Sequence, residues 1–308
     1  MINTLNEINK NALECPLQFI QASDKEYLDN ISGIAKHIEA DDNIKIVAIA
    51  GPSGSGKTTT AHILQESLKN LGETVAVVSL DDFYLPVDKL PVLSDGSLDI
   101  ESVNALDISL IKECFDGIVK NGKANLPRYD FKTKSSIRNA NNIDIGNKGI
   151  VIVEGLHAMN PLISDLVPRK NIYKIYISVN RSVDDQNGVQ LLSSRQIRLI
   201  RRVLRDDRFR GATATQTLQL WNNVIDGERK YLYCFKDTAD IQLVTFHPYE
   251  LGVYRERFGK MRSTVNKNAP CYDYFIKTAN ALERFEDIDS TLVPDDSLIR
   301  EFIGGLKL

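Results

Sequence analysis

The apolar positions of this 308-residue chain fall into two kinds of pattern. Residues 44–50 form a short, almost wholly apolar run, which is typical of a strand buried on both faces of a parallel sheet. Ala61, Leu64, Leu68 and Leu71 then recur at intervals of three and four, which predicts one apolar face of a helix. Further apolar runs follow at 74–80, 150–153, 172–177 and 241–244. Strands that alternate with helices predict an α/β fold, in which helices flank a parallel sheet.

Helices are also predicted on either side of this sheet-forming region. Ser23 and Glu26 have the spacing of a capping box, so we expect a helix from about residue 23 to residue 40, after polar and weakly patterned residues 1–22. Residues 120–148 form a polar stretch. Other helices are predicted near 107–119, 193–208 and 213–225. We expect three parts: an N-terminal helical extension at 1–43, a core at 44–245 and a helical C-terminal extension packed on it at 246–308.

Residues 51–58, GPSGSGKT, match the phosphate-loop pattern G-x-x-x-x-G-K-[ST]. The match lies between a predicted strand and a predicted helix, where backbone N–H groups and the positive end of the helix dipole can hold phosphate oxygens. Lys57 can reach the β- and γ-phosphates, and the Thr58 hydroxyl can bind Mg²⁺. The residues expected to contact the nucleotide are Gly51, Ser53, Gly54, Ser55, Gly56, Lys57, Thr58 and Thr59. The motif leaves three outcomes open: transfer of the γ-phosphate to a small molecule, hydrolysis that drives a switch, or regulatory binding.

Acidic residues follow two of the predicted strands, at the edge where a parallel sheet binds ligands. Asp81 and Asp82 follow the second strand, and a carboxylate there can accept the proton of an attacking hydroxyl. We assign this role to Asp81, although Asp82 could orient Mg²⁺ through water and the pair could simply begin a loop. Glu154 follows the third strand and is expected to hold magnesium through a water molecule.

Seven arginines lie between residues 195 and 210, and Arg195, Arg198, Arg202 and Arg205 share one face of the predicted helix. Such a run usually forms a solvated basic face or a nucleic-acid surface. In a nucleotide-binding enzyme, a lid can instead bring guanidinium groups onto transferring phosphates, with Gly211 as a hinge. The net charge of −3, from 38 Lys and Arg against 41 Asp and Glu, argues against a nucleic-acid partner.

Composition narrows the class of protein further. Hydrophobic residues make up 43% and charged residues 26%, which excludes wholesale disorder. No apolar run approaches the ~18 residues that cross a bilayer, and the first residues lack the apolar stretch of a secretory signal, so no membrane partner is expected. The four cysteines are far apart and form no CxxC pair, which favours free thiols over a zinc site or a disulfide framework. We therefore expect a cytoplasmic protein.

Five segments, in their order along the chain, resemble the uridine kinase/phosphoribulokinase family: GPSGSGKTT, SLDDFY, LPRYDF, IVIVEG and RLIRRVLRDDRFRG. The resemblance covers about residues 44–245. Three further segments, LDIESVNALD, EGLHAMNP and SLIREFIGG, resemble the kinase part of longer bacterial nucleoside-kinase-like proteins. The resemblance implies a P-loop NTPase fold with a helical lid near 195–227, and phosphorylation of a hydroxyl group with ATP and Mg²⁺.

The resemblance also implies roles for individual residues. Asp81 is the expected base, and Lys57, Arg205 and Arg210 complete the expected catalytic set. Magnesium is expected at Thr58 and Glu154. The residues expected to bind the acceptor are Asp81, Tyr84, Asp99, Tyr129, Phe131 and Arg202.

A nucleoside is the leading acceptor, since the family's uridine kinases phosphorylate the 5′-hydroxyl of uridine or cytidine. Lys134 stands where these enzymes typically have His, and Ala212 where they usually have Arg, and both positions help to hold the nucleoside. Other acceptors therefore stay open, namely a sugar phosphate, pantothenate or glycerate. A nucleotide-binding regulatory protein without kinase activity also stays open, as does assembly into a homo-oligomer.

Overall fold

The computed structural model describes residues 3–93, 96, 98–130, 133 and 135–307. Phe131 and Lys134, both named above, lie outside the described residues. The strands are β1 (Ile46–Ala50), β2 (Val75–Ser79), β3 (Lys123–Asp130), β4 (Ser135–Asp144), β5 (Ile150–Glu154), β6 (Ile172–Ser178), β7 (Val183–Asp184), β8 (Gln190–Leu192) and β9 (Ile241–Val244). The helices are α1 (Leu5–Glu14), α2 (Pro16–Glu39), α3 (Lys57–Asn70), α4 (Ile108–Asn121), α5 (Pro161–Ser164), α6 (Ser194–Phe209), α7 (Ala214–Tyr231), α8 (Glu250–Lys260), α9 (Tyr272–Leu282) and α10 (Arg300–Ile303).

A parallel sheet with the strand order β2-β5-β1-β6-β9 lies at the centre of the described chain. β1 pairs with β5 on one side and with β6 on the other, so its backbone polar groups bond within the sheet. Val47 and Ile49 of β1 face one hydrophobic core, and the alternate residues Ile46, Ala48 and Ala50 face the other. The strand is buried on both faces, and the predicted α/β fold class is confirmed.

Helices cover both faces of this sheet. One hydrophobic core contains buried side chains of α1, α2, α3 and α6 to α10, such as Leu64 and Phe302. The other core takes them from α4, α5 and the hairpin of β3 and β4, such as Phe115 and Leu126. The N-terminal and C-terminal helices therefore pack on the same side of the sheet as α3. Among the described residues, no helix is both long enough and apolar enough to span a bilayer.

The N-terminal helices begin earlier than the sequence pattern predicted. The expectation of a helix start at Ser23 is wrong, because Ser23 lies within α2, and α1 precedes that helix. The Thr4 side chain caps α1. Pro16 is the first residue of α2, where its missing N–H removes no hydrogen bond of the helix. The buried positions of α1 are Leu5, Ile8 and Ala12. Tertiary packing of these few apolar residues makes the weakly patterned segment helical.

Residues 120–148, expected to be a polar stretch, contain the antiparallel pair β3 and β4. Ala124 and Leu126 of β3 are buried, but nearly all of β4 is exposed to solvent. An exposed strand of polar side chains carries no apolar alternation, so the pattern could not reveal it. The pair matters to the site because β3 carries Tyr129 close to the end of β2.

The carboxyl ends of β1, β2 and β5 lie side by side, because these strands are parallel and paired in register. β1 leads into the phosphate loop, β2 is followed by Asp81, and β5 ends at Glu154. Ser79 and Glu154 are direct neighbours across β2 and β5. The fold thus brings three motifs that are far apart in sequence to the edge where parallel sheets bind ligands.

Candidate active site

The phosphate loop connects β1 to α3, and two of its positions need glycine. Gly54 and Gly56 have φ angles of +74° and +86°, in the left-handed region. A Cβ on Gly54 would lie only 2.9 Å from the backbone oxygen of Arg198. The first N–H groups of α3 have no acceptor within their own helix, as at any helix N-terminus. The loop therefore offers donors and a positive dipole end to the phosphates of a nucleotide.

A buried ion pair between α6 and α7 holds one part of the loop. Arg198 donates to Glu228 at 2.7 Å, and the Tyr233 hydroxyl donates to the same carboxylate at 2.9 Å. Glu228 also accepts the N–H of Ser53 in the loop at 2.8 Å. The Arg198 and Glu228 side chains are only 4% and 1% exposed. Arg198 therefore helps to hold the phosphate loop and is not part of a solvated basic face.

A second buried ion pair holds the next part of the loop. Arg201 pairs with Glu250 at 2.6 Å, and both side chains are completely buried. Arg201 also donates to the carbonyl of Gly54 at 3.2 Å and to that of Thr245 at 2.6 Å. Loss of one partner would leave an uncompensated buried charge, which is strongly destabilising. The loop is therefore held from α6 by two arginines whose charges are already matched.

Thr58 and Glu154 meet at the edge of the sheet. The Thr58 hydroxyl donates to Glu154 Oε1 at 3.4 Å, and the Ser79 hydroxyl donates to the same oxygen at 2.9 Å. Burial and the nearby Asp81 carboxylate raise the pKa of Glu154 to about 7. Burial lowers the pKa of Lys57, and the charges of Glu154 and Asp81 oppose that shift. A hydroxyl, a carboxylate and substrate phosphates are the oxygen ligands that Mg²⁺ takes, so this corner fits a magnesium ion.

The two neighbouring aspartates are placed differently. Asp81 is exposed and lines the cavity together with Lys57. Asp82 accepts the backbone N–H of Tyr129 at 3.2 Å, and burial raises its pKa. Asp82 therefore fixes β3 against the segment that follows β2. The geometry favours Asp81, and not Asp82, as the carboxylate available to an attacking hydroxyl.

Three arginines gather around the buried carboxylate of Asp206. Arg202 lies 3.3 Å from it, Arg205 3.2 Å and Arg210 3.6 Å. Arg202 also donates to the Ser53 hydroxyl in the phosphate loop at 2.7 Å. All three arginines line the cavity. Asp206 thus holds the three guanidinium groups together at the cavity, where this arginine cluster can donate to phosphate oxygens.

A cavity of about 480 Å³ adjoins the phosphate loop. Tyr84 and Tyr129 both line it, with their ring centres 5.6 Å apart and their planes inclined by 55°. The aliphatic residues of the lining are Val87, Leu90, Leu98, Ile100, Leu156, Leu220 and Val224. Apolar walls with a few polar groups are typical of small-molecule sites. The cavity can therefore hold an organic acceptor next to the phosphates.

The structure does not bring Asp99 to this cavity. Asp99 accepts the hydroxyl of Tyr231 at 3.0 Å and lies 3.8 Å from the ammonium group of Lys230. Glu101, two residues further on, lines the cavity instead, and burial raises its pKa to about 7. The geometry therefore favours Glu101 over Asp99 as the carboxylate that contacts the acceptor.

The sequence pattern does not identify four charged residues of the site: Glu101, Asp206, Glu228 and Arg201. Charged residues on helices usually lie on the solvent side, so nothing local marks Asp206, Glu228 and Arg201 as buried. The partners of Arg198 and Arg201 are 30 and 49 positions away, and only the folded chain reveals them.

Comparison with known proteins places the chain in a family. The model of the phosphoribulokinase/uridine kinase family matches residues 46–248, well over half of the chain. The chain belongs to the phosphoribulokinase/uridine kinase family. It is therefore a P-loop kinase, a phosphotransferase with a hydroxyl group as acceptor, and the resemblance inferred from its motifs is confirmed. Membership also implies the general use of ATP and Mg²⁺, which the phosphate loop and the corner of Thr58 and Glu154 fit.

Individual relatives of this kinase are similar over part of the chain. A uridine kinase of Clostridium novyi is 29% identical over 180 residues, which cover 58% of this chain and 76% of that protein. A uridine kinase of Staphylococcus aureus is 31% identical over 183 residues, which cover 58% of this chain and 77% of that protein. A solved structure described as a possible uridine kinase from Bacillus stearothermophilus is 19% identical, with a TM-score of 0.47, and the match covers 70% of this chain and 97% of that one.

Proposed function

We propose that this protein is an ATP- and Mg²⁺-dependent kinase that transfers the γ-phosphate to the 5′-hydroxyl of a pyrimidine nucleoside, uridine or cytidine. The observation that carries the proposal is the shared lining of one cavity. Asp81, Lys57 and the arginine cluster line it together with Tyr84 and Tyr129. The similarity to proteins named uridine kinases supports the nucleoside acceptor.

In this proposal the residues of the chain position the reactants and stabilise charge, which is most of what phosphoryl transfer requires. Asp81 accepts the hydroxyl proton while the acceptor oxygen bonds to the γ-phosphorus and the bond to the bridging oxygen of ADP breaks. Lys57, Arg205 and Arg210 balance the negative charge on the transferred group and on the leaving phosphate. Magnesium held at Thr58 and Glu154 would add neutralising charge when bound.

The lining of the cavity supports a nucleoside over the other acceptors. The tyrosine rings and aliphatic side chains suit a planar, uncharged base, and the Glu101 carboxylate can accept hydrogen bonds from ribose hydroxyls. A sugar phosphate, pantothenate or glycerate has no planar base that could pack against the two tyrosine rings. An acceptor with a flat ring therefore fits this lining better.

An acceptor screen tests this proposal. The release of ADP from MgATP is measured with no acceptor, and then with uridine, cytidine, a sugar phosphate, pantothenate or glycerate. We expect uridine or cytidine to raise ADP release well above the rate without acceptor, and the anionic compounds to raise it far less. A faster rate with an anionic acceptor would contradict the nucleoside proposal. ADP release that responds to none of the compounds would favour a nucleotide-binding regulatory protein.

A further inference from the structure

The C-terminal segment of the chain touches the phosphate loop. Leu298 packs on Gly56, where an added Cβ would lie 2.9 Å from the leucine Cδ1. Glu301, in α10, accepts the Thr59 hydroxyl at 2.7 Å, across 242 positions of sequence. Thr59 is only 1% exposed. A carboxylate from the far end of the chain thus lies at the first turn of the helix that follows the phosphate loop.

Glu301 also approaches the arginine cluster. Its Oε1 atom lies 3.8 Å from Nη1 of Arg205, while its Oε2 atom holds Thr59. Arg205 lines the cavity, and Thr59 directly follows the phosphate-loop motif. Thr59 thus holds the carboxylate beside Arg205, a donor that is expected to serve phosphate oxygens, and at the first turn of α3, where the helix dipole favours negative charge.

The backbone that carries Glu301 is firmly anchored. Phe302 is completely buried, and the guanidinium group of Arg201 lies 5.0 Å from the centre of its ring. Arg300 donates to the carbonyls of Ser290, Pro294 and Gly304, each at 3.2 Å. The residues on both sides of Glu301 are therefore fixed. Rotation of the Glu301 side chain can move its carboxylate only within a short distance of the phosphate loop.

We propose that Glu301 is an affinity-determining residue of the nucleotide site and competes with the phosphates of the nucleotide for Arg205. A bound triphosphate must take this donor from Glu301 and then lies beside a like charge. Glu301 therefore weakens nucleotide binding, and it weakens the binding of MgATP more than that of adenosine. The inference rests on the proposed function only in requiring that the loop binds ATP.

The test measures nucleotide binding without any acceptor. Dissociation constants of MgATP and adenosine are determined by calorimetry for wild type, Glu301→Gln and the control Glu256→Gln. Glu256 is exposed on α8, where it pairs with Lys260. Glutamine keeps the shape of Glu301 and can still accept from Thr59, but it carries no charge. We expect MgATP to bind Glu301→Gln about tenfold more tightly at low ionic strength, with a smaller gain at high salt. The control should match wild type, and adenosine binding should not change.

Each outcome decides a different question. Equal or weaker MgATP binding by a folded Glu301→Gln variant would overturn the inference while the proposed kinase stands. An equal gain for adenosine would also overturn it, because a charge-independent effect is structural. No MgATP binding by wild type or variant would overturn the proposed function and this inference with it. Glu301→Ala serves the same purpose if the glutamine variant does not fold.

Discussion

The Thr58 hydroxyl lies 3.4 Å from the carboxylate of Glu154, although 96 positions separate the two residues. This contact joins the first turn of α3 to the end of β5 and defines the corner assigned to magnesium. Glu154→Gln keeps the size of the side chain and removes its charge. We expect the Mg²⁺ concentration for half-maximal kinase activity to rise by about ten- to a hundredfold. Glu113→Gln, on the exposed side of α4, is the control, and an unchanged Mg²⁺ requirement for Glu154→Gln would place the metal elsewhere.

Lys57 provides a test of nucleotide binding. Lys57→Ala removes a charge-assisted contact to the β- and γ-phosphates, so ATP binding should weaken by about 1.5–3 kcal/mol. Turnover should fall further, because charge develops on the phosphates in the transition state. Lys69→Ala is the matched control, since Lys69 lies on the same helix, is exposed and pairs with Glu66. Calorimetry and steady-state kinetics measure both effects, and wild-type turnover in Lys57→Ala would refute the role given to the phosphate loop.

Asp81 and Asp82 form a matched pair for testing the base. Asp81→Asn keeps the shape of the side chain but cannot take a proton, so kcat should fall by about 10²–10⁴ with little change in ATP affinity. Asp82→Asn should lower kcat much less, because an amide oxygen can still accept the N–H of Tyr129. Steady-state kinetics with saturating ATP compares the two variants. A larger loss at Asp82 would transfer the role of base to that residue.

The arginine cluster is tested by separating catalysis from binding. Arg205→Ala or Arg210→Ala should lower kcat much more than it weakens ATP binding if these side chains stabilise the transferred phosphate. Arg195→Ala is the control, because Arg195 is exposed on the same helix, α6, and an exposed charge contributes little. Kinetic constants and ATP dissociation constants are compared for the three variants. Losses no larger than that of Arg195→Ala would mean that Arg205 and Arg210 do not act on the transferred phosphate.

Asp24 predicts a pH-dependent contribution to stability. It accepts the hydroxyls of Tyr249 at 2.7 Å and Ser297 at 3.2 Å, and burial raises its pKa from 3.8 to about 6. The folded state binds this proton more tightly than the unfolded state does. The stability that Asp24 contributes is therefore full below pH 3.8 and is lost as the pH rises through about 6.

Asp24→Asn cannot ionise, so it should be more stable than wild type at about pH 8, by on the order of 3 kcal/mol. The gain should shrink towards zero as the pH falls to about 4, where wild-type Asp24 is protonated. Urea unfolding of both proteins across this range measures the difference. A gain of constant size at every pH would mean that ionisation of Asp24 is not its cause.

The sequence predicted those parts of the fold that depend on local patterns. β1, the phosphate loop and α3 follow one another along the chain, so their apolar run, glycines and helical stripe identified all three. Asp81 and Glu154 were predicted to lie close together because residues at the ends of parallel strands share one edge, and the structure places both at that edge. By contrast, the start of α2 at Pro16 depends on packing between helices, and the pattern around Ser23 gave a false boundary.

Contacts between distant segments could not be read from the sequence. Arg195, Arg198, Arg202 and Arg205 share a helical face, yet Arg198 is buried against Glu228 whereas Arg195 is exposed. Asp99 and Glu101 lie in a turn-rich segment. The periodicity of apolar residues does not predict the path of such a segment, so it could not show which of the two carboxylates lines the cavity. The contact of Thr59 with Glu301 spans nearly the whole chain, and no local signal marks it.

The proposed function requires that Asp81 accepts the proton of a hydroxyl acceptor held beside the phosphates of ATP. The most direct test is mass spectrometry of the products formed from uridine and MgATP by wild type and by Asp81→Asn. We predict that wild type forms uridine 5′-phosphate in equal amount to ADP, and that Asp81→Asn forms almost none while still binding ATP. ADP without a phosphorylated nucleoside, or equal product from both proteins, would contradict the account.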